Sequence, residues 1–578
     1  MSGARLTTQV RLSVGQPVRN GASAAYRPVV PVEGEPHLVR DDLLPPGGHA
    51  RPVAQSPSLG RGRALACLVH ITDLQLADVQ SPARFEFLNR YFADPRYARI
   101  VPTQRPQEAL TARAVDATLR TINTVSGPAT GLAPHLAITT GDAIDNAQWN
   151  ELLAFLALFD GGPVTFGPPG GGRYEGVQSF DWPDDIFWRP DGDGPDGPDI
   201  FRREFGFPHH PGLLERAIAT FRSPGLTMNW LSCFGNHEAL NQGVGVHTPG
   251  LVAAMTGSVK PIALAEGFNH ERALELFMDS PEIFMTGPTL PVTAHPDRRP
   301  VTRAEFVAAH FAPGARPAGH GFTERNRNDG TAYYAYDTPA IRFIALDTAC
   351  LAGGAEGCVD ADQARWLESQ LRQVHSVYLG TDGEPIRTGN EDRLVIIFSH
   401  HGLEMLTNTR QAGGAEHLGP DRLPLLTGPD LARLLHRFGN VVLWLNGHTH
   451  ANAIRPRPAR AMLRGDEGWP RASSAGSVSG PGTGFWEVTT CSVVDWPCQT
   501  RLVEVVEADG EIRIVCTMLD HAARSRRPPG GPGLAWLHRE LAANMPFLGA
   551  DSGRDGTAAD RNVVLRMPAP FPLGRLAT

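Results

Sequence analysis

Five short apolar runs in this chain each lead into side chains that can bind metal ions, and this pattern constrains the fold more than any other feature. The runs are ALACLVHIT (64–72), PHLAITT (134–140), LTMNWLSCF (226–234), RLVIIFS (393–399) and NVVLWLN (440–446). An unbroken apolar run of this length, closed by polar turn residues, reads as a strand buried on both faces. Helical spacing of apolar residues appears between the strands, over 107–125, 360–374 and 429–438. Strands alternating with helices predict an α/β fold. In such open sheets ligands sit beyond the carboxyl ends of the strands. The residues found there are Asp73 and Gln75, then Asp142, then Asn236, His237 and Glu238, then His400 and His401, then His448 and His450. Carboxylate, amide and imidazole donors without thiolate suit Mn, Fe or catalytic Zn better than a structural zinc.

The rest of the chain is less regular. AYYAYDT (332–338) and AIRFIALDT (340–348) predict adjacent strands, and 501–519 a hairpin turned at Asp509-Gly510. Residues 1–62 are rich in Pro, Arg and Gly and read as an extended or partly disordered arm. The expected catalytic domain spans 63–519, with long irregular insertions at about 147–226 and 240–330, where long loops are often functional. Residues 520–578 are expected to wrap the surface. A net charge of −8 offers no general attraction to nucleic acid or to an anionic membrane. No segment approaches the roughly 18 apolar residues of a membrane helix. The first residues, MSGARLTTQVRLSVGQPVRNG, lack an apolar signal core, so a cytoplasmic location is expected. The seven Cys are odd in number and form no C-x-x-C, which predicts buried reduced thiols.

Taken in order, the polar blocks are T-D-L-Q (72–75), G-D-A-I-D (141–145), G-N-H-E (235–238), S-H-H (399–401) and G-H-T-H (447–450). This series resembles the calcineurin-like metallophosphoesterases. Single blocks of this kind arise by chance; five in order, each after an apolar strand, form a specific signal. TDLQLADVQSPAR (72–84) and GFWEVTTCSVVDWPCQTR (484–501) further resemble an actinobacterial-type branch whose first motif is D-x-Q. The resemblance implies a four-layer α/β/β/α sandwich with long loop insertions. It implies two divalent or trivalent metal ions (Mn, Fe or Zn) and hydrolysis of a phosphomonoester or phosphodiester. Position by position, Asp73, Gln75 and His450 would hold one metal, Asp142 would bridge, and Asn236, His400 and His448 would hold the other. His237 would stand outside the metals and serve the phosphate or the leaving oxygen. Glu238 would orient His237 or a nearby loop, His401 would lie behind the ligands, and Asp145 and Asn146 would support the Asp142 loop. Gln75 departs from the family's usual His and is a neutral, weaker donor. Two cations about 3.5–4 Å apart clamp phosphate oxygens and lower the pKa of a shared water.

Plainer readings stand beside these. Asp73 alone would be a helix cap, and Gly235-Asn236 a turn. His209 and His210 read as loop residues, and DGDGPDGPD (191–199) lacks the spacing of a calcium loop. Trp486 reads as a core residue and Asp347 as a turn support. There is no G-x-S-x-G elbow, and the single Lys, Lys260, precedes Pro261, which excludes a P-loop. The alternative from another class is a non-catalytic metal-binding scaffold built on a phosphoesterase core.

Overall fold

The computed structural model describes residues 6–20, 23–44, 51–52, 62–167, 172–179, 182–410, 424–459, 484–522 and 533–575. Parts of the N-terminal arm, of the Gly/Pro-rich run near 170 and of the C-terminal tail fall outside these ranges. The fold is mixed α/β, built around two large sheets.

The first sheet takes strands β1 (Leu38–Arg40), β2 (Arg51–Pro52), β3 (Arg63–Ile71), β4 (Leu136–Thr139), β5 (Asn229–Leu231), β12 (Gln499–Ala508), β13 (Glu511–Asp520) and β14 (Val563–Pro568). Their order across the sheet is β5-β4-β3-β12-β13-β14-β1-β2, with β5, β4 and β3 parallel. The second contains β6 (Tyr334–Asp337), β7 (Ile341–Leu346), β8 (Leu394–Ser399), β9 (Val441–Asn446), β10 (Ala453–Arg457) and β11 (Phe485–Thr489), in the order β6-β7-β8-β9-β11-β10. Here β7, β8, β9 and β11 are parallel.

The sequence of β8 shows why it is a strand. Leu394, Ile396 and Phe398 join a core cluster that also holds Leu68 and Val69 of β3. Val395 and Ile397 point the other way, into a cluster with Leu367 and Leu371 of helix α3 (Ala361–Gln373) and Leu431 and Leu435 of helix α4 (Gly428–Leu435). Both faces are buried, so the run carries no polar residue until Ser399. Helix α3 begins where Asp360 accepts the amide of Gln363 at 2.8 Å, and α4 where Asp430 accepts the amide and hydroxyl of Thr427; both are N-terminal caps.

Helix α1 (Thr111–Ile122) packs Val115 and Leu119 into the main core, as its spacing predicts. The hairpin β12–β13 turns at Asp509 and Gly510, both at positive φ. All seven Cys are free and buried. Among the described residues no helix is long and apolar enough to cross a membrane.

Three segments differ from the sequence reading. Helix α2 (Trp149–Asp160) lies inside the supposed first insertion, yet Leu152, Phe155 and Phe159 belong to the main core. The arm contributes β1, which pairs in parallel with β14, and the tail contributes β14 and helix α5 (Leu534–Asn544). Leu537 and Leu541 of α5 are buried with Leu110 at the start of α1. These apolar runs are short and lie in Pro/Arg/Gly-rich surroundings, so composition averaged over the segment conceals them.

Candidate metal centre

The parallel strands of both sheets deliver their carboxyl ends to one place. β3 leads to Asp73 and Gln75, β4 to Asp142, β5 to the helical turn Asn236–Ala239, β8 to His400, and β9 to His448 and His450. Backbone bonds lace these loops together. The amides of Asp73 and Gln75 donate to the carbonyls of Gly141 and Asp142 at 3.2 and 2.8 Å, and the amide of Gly447 donates to His400 at 3.0 Å. The amide of His448 donates to the Asp73 carboxylate at 3.0 Å, joining the two sheets.

The side chains converge in two groups. In one, His450 Nε2 lies 3.2 Å from Asp73 Oδ1 and 3.3 Å from Gln75 Nε2. In the other, His400 Nε2 lies 3.0 Å from Asp142 Oδ2 and 3.2 Å from His448 Nδ1. Asp73, Asp142 and His400 each offer a donor atom within 4.8 Å of the others, enough to enclose one ion. His400 Nδ1 faces the carbonyl of Thr140 at 2.8 Å. That carbonyl can only accept, so the Nδ1 carries hydrogen and Nε2 is the donor atom toward the site.

Two amide oxygens test whether a cation fits. Asn236 Nδ2 donates to Gly243 O at 2.9 Å, and Gln75 Nε2 lies among the imidazoles, yet Asn236 Oδ1 and Gln75 Oε1 are buried with no hydrogen-bond partner. An orphaned buried acceptor costs about 1–3 kcal/mol. Both residues line one cavity with Asp142, His448 and His450, where a hard or borderline cation would take such oxygens as ligands. The donor types present therefore fit metal binding.

The backbone is strained at the same residues. Among the described residues eleven non-glycine positions have left-handed φ, and five are candidate ligands: Asp73, Gln75, Asp142, His448 and His450. Such strain persists where the surroundings over-determine it, commonly at functional sites. Glycine makes the crowding possible. A Cβ on Gly141 (φ 86°) would stand 3.1 Å from His400 Nδ1, and one on Gly447 would collide with Thr72 Oγ1 and the Asp73 carboxylate.

The buried charges of the site balance one another. Burial favours neutral Asp142, but His400 and His237 outweigh it and hold its pKa low. Burial likewise favours neutral His400, but the Asp142 carboxylate raises it to about 9. His237 is raised to about 9 by Asp142 and Asp145 against the same burial. His448 is lowered to about 3, by burial and by neighbouring His400. Two buried carboxylates favour positive charge beside them, whether from imidazole protons or from a cation.

No protein-family model matches the chain, and no curated protein matches it.

The supporting residues divide by their hydrogen bonds. Glu238 accepts from the amides of Gly235, Asp142 and Ala143 at 2.7, 2.8 and 2.6 Å, so it holds the Asp142 loop. It does not orient His237. That task falls to Asp145, whose carbonyl accepts from His237 Nδ1 at 2.9 Å and whose carboxylate lies 3.3 Å from the same nitrogen. Asn146 Nδ2 donates to Glu151 at 3.2 Å, again supporting the loop. His401 stands close enough to His400 and His448 to share an ion with them. Its nitrogens are committed elsewhere, Nδ1 to the Thr348 hydroxyl and Nε2 to the Ala355 carbonyl, both at 2.9 Å, and the hydrogen bonds decide against ligation.

Sequence reasoning missed three residues. Asp495 accepts from His450 Nδ1 at 2.7 Å, from Arg105 Nε at 2.7 Å and from Arg554 at 3.2 Å. It fixes His450 as a carboxylate fixes a ligating imidazole. Arg105 and Arg554, with Arg99, line a cavity of about 380 Å³ that opens onto Gln75, Asp142, Asn236, His237, His448 and His450. Asp495 lies in the run 484–501, but nothing in that run marks its partner. Trp486 is fully buried in the core, and Asp347 is paired with Arg303 at 2.8 Å; neither lines the cavity.

Proposed function

We propose that the protein hydrolyses a phosphate ester with two bound metal ions, on the plan of the calcineurin-like metallophosphoesterases. The observation that carries the reading is the pair of orphaned amide oxygens, Gln75 Oε1 and Asn236 Oδ1, set among Asp73, Asp142, His400, His448 and His450. Asp73, Gln75 and His450 would hold one ion, Asn236, His400 and His448 the other, with Asp142 shared. Bound metals supply charge neutralisation for phosphoryl oxygens and a lowered pKa for water. The four-layer α/β/β/α arrangement belongs to the same proposal. Its support is the core shared by the two sheets and the cover of α3 and α4 on the outer face of the second.

The chain's own residues account for the remaining work. His237 lines the cavity with Nε2 3.8 Å from Asp142 Oδ2, while Nδ1 is tied to Asp145. With Nδ1–H anchored on a carbonyl, Nε2 is the atom that faces substrate. Against burial, the neighbouring Asp142 and Asp145 carboxylates raise the ring's pKa, and from a protonated ring Nε2–H would pass a proton to a leaving alkoxide. Arg105 and Arg554, both bonded to Asp495, line the cavity, where their guanidinium groups would meet a phosphate.

The test compares the protein with its Asn236→Ala variant on bis-p-nitrophenyl phosphate and p-nitrophenyl phosphate, with Mn²⁺ and with EDTA. Turnover that EDTA abolishes and the variant lacks is expected, and the preferred ester separates diesterase from monoesterase. A wild-type protein that neither binds metal nor turns over either ester would overturn the proposal and leave the scaffold reading.

A further inference from the structure

Phe547 breaks two rules at once. Its ring is 72% exposed, the most exposed large apolar side chain among the described residues, and its φ is +66°. The amide of Leu548 donates to the carbonyl of Pro546 at 2.8 Å, which closes a three-residue turn around Phe547 in the rare, strained hand. Bonds from Gly549 to Met545 and from Ala550 to Ala543, at 2.9 and 3.0 Å, lock that turn onto the end of α5. A bulky residue at left-handed φ is an outlier that needs a reason. Here the strain holds a hydrophobic residue that stays 72% exposed.

The ring's surroundings supply the reason. Phe547 stacks on Phe92 with centroids 4.4 Å apart and planes inclined by 22°. Its neighbour Leu548 lines the metal-site cavity, and Arg554, seven residues on, lines it too. Arg99, Ile100, Val101 and Pro102, a few residues after Phe92, line it as well. The segments bearing the two stacked rings thus both continue into the cavity wall, and both bring arginine. At about 380 Å³ the cavity exceeds what a phosphate alone fills and falls in the range of small-molecule sites.

We propose that Phe547, backed by Phe92, is a stacking platform at the rim of the metal-site cavity, and that the phosphate ester bound there carries a planar ring, as a nucleotide does. This rests on the phosphoesterase reading, whose metal site would seat the phosphate while the ring lies on Phe547. An exposed aromatic face stacks on any planar ring regardless of its edge hydrogen bonds, so the platform selects a class of substrate and not one base.

The test is calorimetric titration of the Mn²⁺-loaded full chain with the 5′-methylenephosphonates of adenosine and of ribose. These resist hydrolysis and differ only in the base. The adenosine compound is expected to bind about 5- to 150-fold more tightly, the span of base–aromatic stacking. In Phe547→Ala the ratio should fall to within about twofold while ribose phosphonate binding is unchanged. Equal affinities in the wild type, or a ratio that survives Phe547→Ala, would overturn the platform. In that case EDTA-sensitive binding of the ribose compound would leave the phosphoesterase reading standing. Absent or EDTA-insensitive binding of both compounds would sink the two together. A concentration-dependent dimer abolished by Phe547→Ala, with no effect on either ligand, would assign the ring to a second copy of the chain instead.

Discussion

Replacing Asp495 by Asn probes the site through a residue that would touch neither metal nor substrate. The carboxylate is 1% exposed and accepts from His450 Nδ1, Arg105 and Arg554. Burial opposes its charge, yet Arg105 and His450 hold its pKa far below the usual range, so it is ionised at every working pH. Asn keeps the shape and one acceptor oxygen but removes the charge that raises the basicity of His450 Nε2 and fixes its ring. Loss of such a partner typically costs about 10- to 100-fold in metal affinity, or about 1.4–2.7 kcal/mol. The effect should fall on one ion of the two, because His400 takes its orientation from Thr140 and not from Asp495. Equilibrium dialysis against buffered free Mn²⁺, with metal counted per chain, should therefore show one site weakened and the other unchanged. Thermal melting in EDTA separates this from general damage. Arg105 and Arg554 keep 12% and 22% side-chain exposure, so the metal-free variant should lose some stability with its ion pairs but less than the metal-loaded variant does. Two unchanged sites would refute the positioning role. So would a metal-free variant destabilised as much as the metal-loaded one.

His400→Ala should lose one metal per chain, whereas His401→Gln should keep both and lose only stability, by about 1–3 kcal/mol for the stranded Thr348 and Ala355 partners; metal counting with thermal melting checks both. Metal affinity should rise about tenfold per pH unit below about pH 9 and then level off, because a ligating His400 must give up the proton that Asp142 holds on it to about that pH. Calorimetry in buffers of different ionisation enthalpy should detect that proton near pH 7, and pH-independent affinity would count against His400 as a ligand.

What the sequence made legible was whatever burial writes as a run. Residues 394–398 are apolar throughout because one face meets the other sheet and the other meets α3 and α4. The candidate ligands were legible for a related reason: a polar residue ending such a run stands at the carboxyl edge of a sheet. Asp495 was not legible, because it reaches His450 from a loop beyond β11, 45 residues away, and no local pattern encodes that pairing. Glu238 takes the second of its two expected roles, support of a loop, and nothing local to it decides between them. Adjacent to His237 in sequence, it sends its carboxylate to the backbone of another loop. β1 and β14 were hidden because two apolar residues in one and four in the other, among Pro and Arg, look like tails until they pair with each other.

The strained residues explain why the site lies where it does. Each non-glycine residue at left-handed φ costs about 1 kcal/mol or more, and five of them are candidate ligands. Together that is a substantial fraction of the 5–15 kcal/mol by which a domain is stable. Strand interiors could not absorb it, since a left-handed residue breaks the ladder. The turns just beyond the strands can, because the fully buried runs before them, and the lacing from Gly141 to Asp73 and from His400 to Gly447, leave the chain no relaxed alternative. The core thus stabilises a geometry that the loops alone would abandon. Bound cations would recover part of the strain by satisfying Gln75, Asn236 and the buried carboxylates, so metal binding and fold stability should be linked.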